Sequence, residues 1–234
     1  MIEAYVTNLG KYNEGDLCGE YLKLPASKEC VKALLSSIGI DGVLYEEFFI
    51  TDYATDVDGL CRYLGEYESI DELNYLASML SDLYDYELEK FEAAVAYGDR
   101  SGCIQDLINL AQNMDCYEFY PDVDDEEQLG RYLIEELEYE KIPERLEPYF
   151  DYEAYGRDFS VNEGGEFVQG GYISRNDVDF KEHYKGRHIP DDYRIFAYPD
   201  PPEIMPMKQQ LEMFGRMAAF HTTDKTTPTR EERA

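Results

Sequence analysis

The sequence predicts an α+β protein built as an elongated chain of small domains, and three observations predict it. Short alternating or aromatic-rich apolar segments, bounded by turn residues, occur near the start of the chain and again in its second half, as short strands do. Between them, apolar residues recur at helical spacing. Acidic residues outnumber basic ones 51 to 21 in 234 residues, a net charge of -30. Self-repulsion on that scale favours a shape that moves like charges apart.

Residues 1–60 read as an N-terminal α/β domain. Ile2, Ala4 and Val6 alternate as a strand, and Leu9-Gly10 and Asn13-Glu14-Gly15 mark turns. A second strand is expected over Leu17–Leu24. Ser27 caps a helix with apolar positions Val31, Leu34, Leu35 and Ile38, stopped by Gly39. Tyr45–Tyr53, rich in aromatics, reads as a third strand.

Residues 61–115 read as a helical domain. Ser69-Ile70-Asp71-Glu72 has the form of a capping box. Leu73, Leu76, Leu80, Leu83 and Phe91 then follow one helical face, with Asp82, Asp85, Glu87 and Glu89 opposite. A short helix fits Ile104, Leu107, Ile108 and Ala111.

Residues 116–173 read as a C-terminal α/β domain. A strand is expected at Tyr117–Tyr120. Asp122–Glu127 then suits the positive start of a helix that uses Leu129, Leu133 and Leu137. Pro143 and Pro148 punctuate the next segment, and Phe167–Ile173 returns as a strand. Residues 174–234 form an extension: a strand at Tyr193–Tyr198, a helix near 203–220 carrying Ile204, Met207, Leu211, Phe214 and Ala218, and a polar, disordered tail from Thr222.

The acidity is localised. Residues 174–234 hold 10 Lys+Arg and 11 Asp+Glu, which leaves 11 basic and 40 acidic residues in 1–173. With 22 Tyr and 11 Phe in the chain, the acid sits on a folded surface, because a disordered acidic tract is poor in aromatics. Cys18, Cys30, Cys61, Cys103 and Cys116 form no CxxC pair, so reduced thiols are expected instead of a disulfide framework or a zinc site. There is no secretory-type start and no apolar run near 18 residues. The expectation is a cytoplasmic protein with no membrane contact.

Little in the sequence is suited to catalysis. His183, His188 and His221 are the only histidines, and all lie in the extension. The commonest general base and metal ligand is therefore missing from residues 1–182. Asp56-Val57-Asp58-Gly59 and Asp122-Val123-Asp124-Asp125 resemble pieces of calcium loops, but neither continues into the full pattern. No phosphate-binding loop, nucleophile elbow or dinucleotide fingerprint is present. No enzyme activity, cofactor or metal is expected.

The unusual feature is the interleaving of tyrosine with acid, as in Tyr45-Glu46-Glu47, Glu66-Tyr67-Glu68, Tyr84-Asp85-Tyr86-Glu87 and Glu138-Tyr139-Glu140. In the plain reading, rings half-bury while acids face water. In the sharper reading, the acids imitate phosphates, from which a DNA-binding enzyme draws much of its affinity. Duplex DNA carries one charge per ~1.7 Å of axis. Forty carboxylates therefore match roughly 20 bp, and a symmetric dimer about 40 bp.

Four blocks resemble the ArdA antirestriction family: Ala4–Gly15 (AYVTNLGKYNEG), Tyr45–Tyr53 (YEEFFITDY), Gly65–Asn74 (GEYESIDELN) and Tyr149–Asp158 (YFDYEAYGRD). The resemblance implies a curved, elongated protein of three small domains that dimerises through the C-terminal one. It implies a mimic of bent duplex DNA, directed at the methyltransferase core of type I restriction-modification enzymes, carried on mobile genetic elements and binding no nucleic acid itself. The acids expected to contribute are Glu46, Glu47, Asp52, Glu66, Glu68, Asp71, Glu72, Asp82, Asp85, Glu87, Asp124, Asp125, Glu126, Glu127, Glu135, Glu136, Glu138 and Glu140. Tyr149, Phe150, Tyr152, Tyr155 and Arg157 are expected in the dimer interface or the core. The alternatives are an acidic salt-adapted protein, a metal binder or carboxylate enzyme, and an inhibitor of another DNA-binding protein. The role of 174–234 stays open, since it departs from the family pattern.

Overall fold

A computed structural model describes residues 1–200. It is an α+β structure with two three-stranded sheets, both antiparallel. Alternation at Ile2, Ala4 and Val6 makes β1 (Ile2–Asn8), whose inward side chains are buried. β1 lies between β2 (Gly19–Leu24) and β3 (Phe48–Thr55). A short helix, α1 (Leu9–Asn13), follows β1, where a plain turn was expected. Its cap is the buried Asn8, whose Oδ1 accepts from Lys11 N (3.0 Å) while Nδ2 donates to Ile38 O (3.1 Å). α2 (Lys28–Ser37) starts at Ser27, whose hydroxyl accepts from Cys30 N, and buries Val31, Leu34 and Leu35.

The leucine stripe becomes two helices, α3 (Ile70–Ser81) and α4 (Asp85–Tyr97). The chain turns at Asp82–Tyr84 and restarts where the Glu87 carboxylate accepts from Tyr84 N (2.9 Å). Asp85 and Glu87 thus stand in a first turn, where the peptide dipoles favour negative charge. The expected capping box at Ser69 does not form, because the Ser69 hydroxyl makes no cap bond and the Glu72 carboxylate accepts from Tyr184 OH instead (2.7 Å). α5 (Ile104–Ala111) follows as expected and packs on α3.

β4 (Tyr117–Pro121) pairs with β6 (Gly171–Arg175), which pairs with β5 (Glu166–Val168). The single strand expected over Phe167–Ile173 is therefore a hairpin, turned at Gln169-Gly170 with Gly170 at φ 92°. α6 (Glu126–Arg131), capped by Asp125, continues into one wider π turn at Tyr132–Glu136. α7 (Tyr152–Glu163), capped by Asp151, packs across α6.

One buried apolar cluster runs from Ile2, Ala4 and Val6 through α2–α5 to Tyr117, Phe119 and Ile173, and takes in Tyr184 and Ile195. A smaller one holds Tyr120, Val123, Leu129, Leu133 and Tyr172. Tyr193–Tyr198 is not a strand: Asp191–Tyr193 is a 3-10 turn, and the N–H groups of Ile195 and Phe196 beyond it bond to the Asp71 carboxylate of α3 instead of to a sheet edge. The helix expected near 203–220 and the tail from Thr222 lie outside the described residues.

The α6–α7 crossing depends on two glycines. A Cβ on Gly130 would meet the Tyr152 carbonyl, and one on Gly156 would meet the Glu126 carbonyl. Backbone cannot yield as a flexible side chain does. Gly156→Ala is expected to destabilise the protein by about 1–3 kcal/mol, read as a lowered midpoint in thermal unfolding.

Candidate partner-binding surface

The acids named from sequence fall into four local settings. In the first, Glu46 and Glu47 are exposed on the loop before β3, and Asp52 is exposed on β3 itself. That strand begins three residues later than expected, because Asp41 Oδ1 gathers the N–H groups of Val43, Leu44 and Tyr45 into a loop (2.8–3.1 Å). Those donors hold the Asp41 carboxyl below its usual range. Asp52 accepts from Tyr21 OH (2.6 Å). Exposed Glu66 and half-buried Glu68 form the turn before α3, where Glu68 accepts from Gly65 N (2.9 Å).

In the second setting, Asp71 and Glu72 are turned inward. Asp71 Oδ1 accepts from Ile195 N (2.8 Å) and Phe196 N (2.7 Å), and Glu72 accepts from Tyr184 OH. The first turn of α3 therefore spends its carboxylates on the chain's own extension. In the third, Asp82, Asp85 and Glu87 stand exposed at the α3–α4 turn.

In the fourth, Asp124, Asp125, Glu126 and Glu127 open α6, and Glu135, Glu136, Glu138 and Glu140 follow it; all but Glu126 are exposed. Asp125 accepts from Gln128 N (2.8 Å). Arg131 bridges Glu127 (2.9 Å) and Glu135 (3.2 Å). Among the described residues, no other member of the set is ion-paired.

The aromatic block divides. Tyr152 is buried, with the Arg131 guanidinium 4.4 Å over its ring. Phe150 packs on Tyr152 and Tyr155, with centroids 4.9 and 5.5 Å away. Tyr149 is 85% exposed, and Arg157 is exposed at 3.9 Å from Glu153.

A further group escaped the sequence reading. An open cleft of about 520 Å³ between α4, the Leu60–Tyr63 turn, β4 and the β5–β6 turn is lined by Asp58, Arg62, Glu89, Glu92, Asp122 and Gln169. Its acids come from three separate stretches of chain, so no local motif announces them. The two calcium-loop fragments do meet here, through Asp58 and Asp122. Among the described residues, however, no group of three or more His, Cys, Asp or Glu is placed to hold a metal ion. His183 and His188 are exposed. No described helix is long and apolar enough to cross a membrane.

Fold and surface together define a class: an acidic α+β protein that holds carboxylates out to solvent on loops and helix starts. The model of the antirestriction protein ArdA family matches residues 4–174, and the chain belongs to that family. Membership implies antirestriction activity, exerted on restriction enzymes. No curated protein matches the chain.

The tyrosines beneath the acids are strongly perturbed. Burial, and then the Asp99 carboxylate that accepts its hydroxyl (2.7 Å), raise the Tyr117 phenol. Burial likewise raises Tyr53, Tyr120 and Tyr184, and pushes Tyr172 up to about 12. A phenol whose folded pKa lies above its unfolded value stabilises the fold fully below the unfolded pKa of about 10. That stabilisation is lost as pH rises through the folded value. Thermal midpoints are expected to hold up to about pH 10 and fall steeply toward about pH 12. Phenolate absorbance from these rings should appear together with unfolding.

Proposed function

We propose that this chain inhibits type I restriction-modification enzymes by placing carboxylates where the methyltransferase core expects DNA phosphates. The observation that carries the reading is the state of the acids. Fourteen of the eighteen named from sequence are exposed, and only Glu127 and Glu135 among them are paired with a cation in the described residues. Unpaired carboxylates on a folded surface are free to meet the Lys and Arg that a DNA-binding groove presents.

In the same reading, residues 1–60, 61–115 and 116–173 act as successive acidic sections, and the protein works as a homodimer in the cytoplasm of a cell that a mobile element has entered. Leu137, Tyr139, Leu146, Tyr149 and Val161, five large apolar residues of the third section, are each exposed, which supports dimerisation through that section. Asp71 and Glu72 leave the display, and Glu89, Glu92, Asp58 and Asp122 join it.

The test is competition. A labelled duplex bound to a type I methyltransferase core should be displaced by the protein, less well as salt rises, while the protein itself leaves free DNA unbound. Single Glu→Lys changes should each weaken displacement by about 2–5-fold. Reversing Asp124, Glu136, Glu138 and Glu140 together, all exposed and outside any ion pair or helix cap among the described residues, should nearly abolish it. Displacement indifferent to salt would sink the mimicry. Tyr149→Asp with Leu146→Asp should shift the dimer toward monomer in sedimentation; an unchanged dimer would move the interface elsewhere.

A further inference from the structure

The stretch directly after the family match, residues 176–198, is bound to the body by a specific set of polar contacts. Asn176 begins it, with Nδ2 donating to Asp115 O (2.8 Å) and Glu118 Oε1 (3.1 Å) beside β4. Asn113 then grips Lys181 from both sides, Oδ1 accepting its N–H and Nδ2 donating to its carbonyl, each at 2.9 Å. One helical turn earlier, Asn109 does the same to Tyr184, at 2.8 and 2.7 Å. Asn74 of α3 donates to Tyr193 O (3.1 Å) while its Oδ1 accepts from Ala26 N (2.9 Å). Asp71 takes the N–H groups of Ile195 and Phe196. At the far end Phe196 lies 5.7 Å from the Phe48 ring, and Tyr198 OH donates to Glu46 O (3.0 Å).

Asn74, Asn109 and Asn113 are each no more than 3% exposed. A buried amide without partners is costly, and much of what satisfies these three comes from this one stretch. The helices are therefore built to receive it. The path matters as much as the bonds, for it starts at the second sheet, crosses α5 and α3, and ends at the first sheet. It also carries nearly balanced charge, Lys181, Lys185, Arg187 and Arg194 against Asp177, Asp179, Glu182, Asp191 and Asp192, which makes it a poor phosphate mimic.

We infer that residues 176–198 are a positioning strap that ties the first sheet to the second and fixes the spacing between their carboxylates, without itself touching the partner. The functional half of this rests on the mimicry proposed above. A rigid array spends less of its interaction energy on ordering than a jointed one. The bound state would hold the same ion contacts either way.

The experiment cuts the strap in the folded, full-length protein. A site-specific protease sequence replaces the exposed Lys185–His188 turn, and the protein is compared before and after cleavage. Amide exchange is expected to quicken in β3 and the first turn of α3. Displacement of DNA from the methyltransferase core should weaken about tenfold with an unchanged slope against salt. Asn109→Asp with Asn113→Asp, which turns the carbonyl-facing donors into repelling oxygens, should act in the same direction. Unchanged exchange and displacement after cleavage would overturn the strap. So would a shallower salt slope, since that would make it a contact surface. If the intact protein displaces no DNA at any salt, mimicry fails by itself. The tie is then decided by exchange alone, quickening supporting it and no change overturning it.

Discussion

Forty carboxylates in 173 residues with eleven cations among them cannot be neutralised by pairing. Most must be left in water or given a neutral donor, and the structure follows from where such donors lie. Asp125 and Asp151 cap α6 and α7, Asp85 and Glu87 open α4, Asp41 folds a loop around itself, and tyrosine hydroxyls serve Glu14, Asp52 and Glu72. Hydrogen bonds of this kind leave the negative charge in place. A salt bridge would mask that charge.

The same constraint explains why the chain is rich in tyrosine. A phenol offers a large ring for the core and a donor at its rim. Tyr117 buries its ring fully and still reaches Asp99, and Tyr184 does so with Glu72. Phenylalanine would fill the same volume and remove that donor, leaving Glu72 without its hydroxyl partner and Asp99 with Arg175 alone.

Elements with strictly local signals were legible in the sequence. Alternation marked β1, the Ser27 cap and its apolar positions marked α2, and the stripe from Ile104 marked α5. Errors came where a local pattern had two outcomes. The leucine stripe could not show that Glu87 would restart a helix, and Phe167–Ile173 reads as one strand although it carries a turn signal, Gly170-Gly171, at its middle. The acids of the display were readable as a population, since charge is a sum over the chain. Their individual fates were not. Asp71 and Glu72 look like their neighbours in sequence, and their partners lie more than a hundred residues away, at Ile195 and Tyr184.

The asparagine grips have an evolutionary consequence. Asn109 and Asn113 hold peptide groups, so the side chains of the stretch from Asp177 to Asp192 are constrained mainly where they are buried, as at Tyr184. Most of the others face solvent and can change without disturbing the path of the chain. This side of the molecule can therefore be altered residue by residue, changing its charge and its contacts with solvent, while the path of the chain over the helices stays the same.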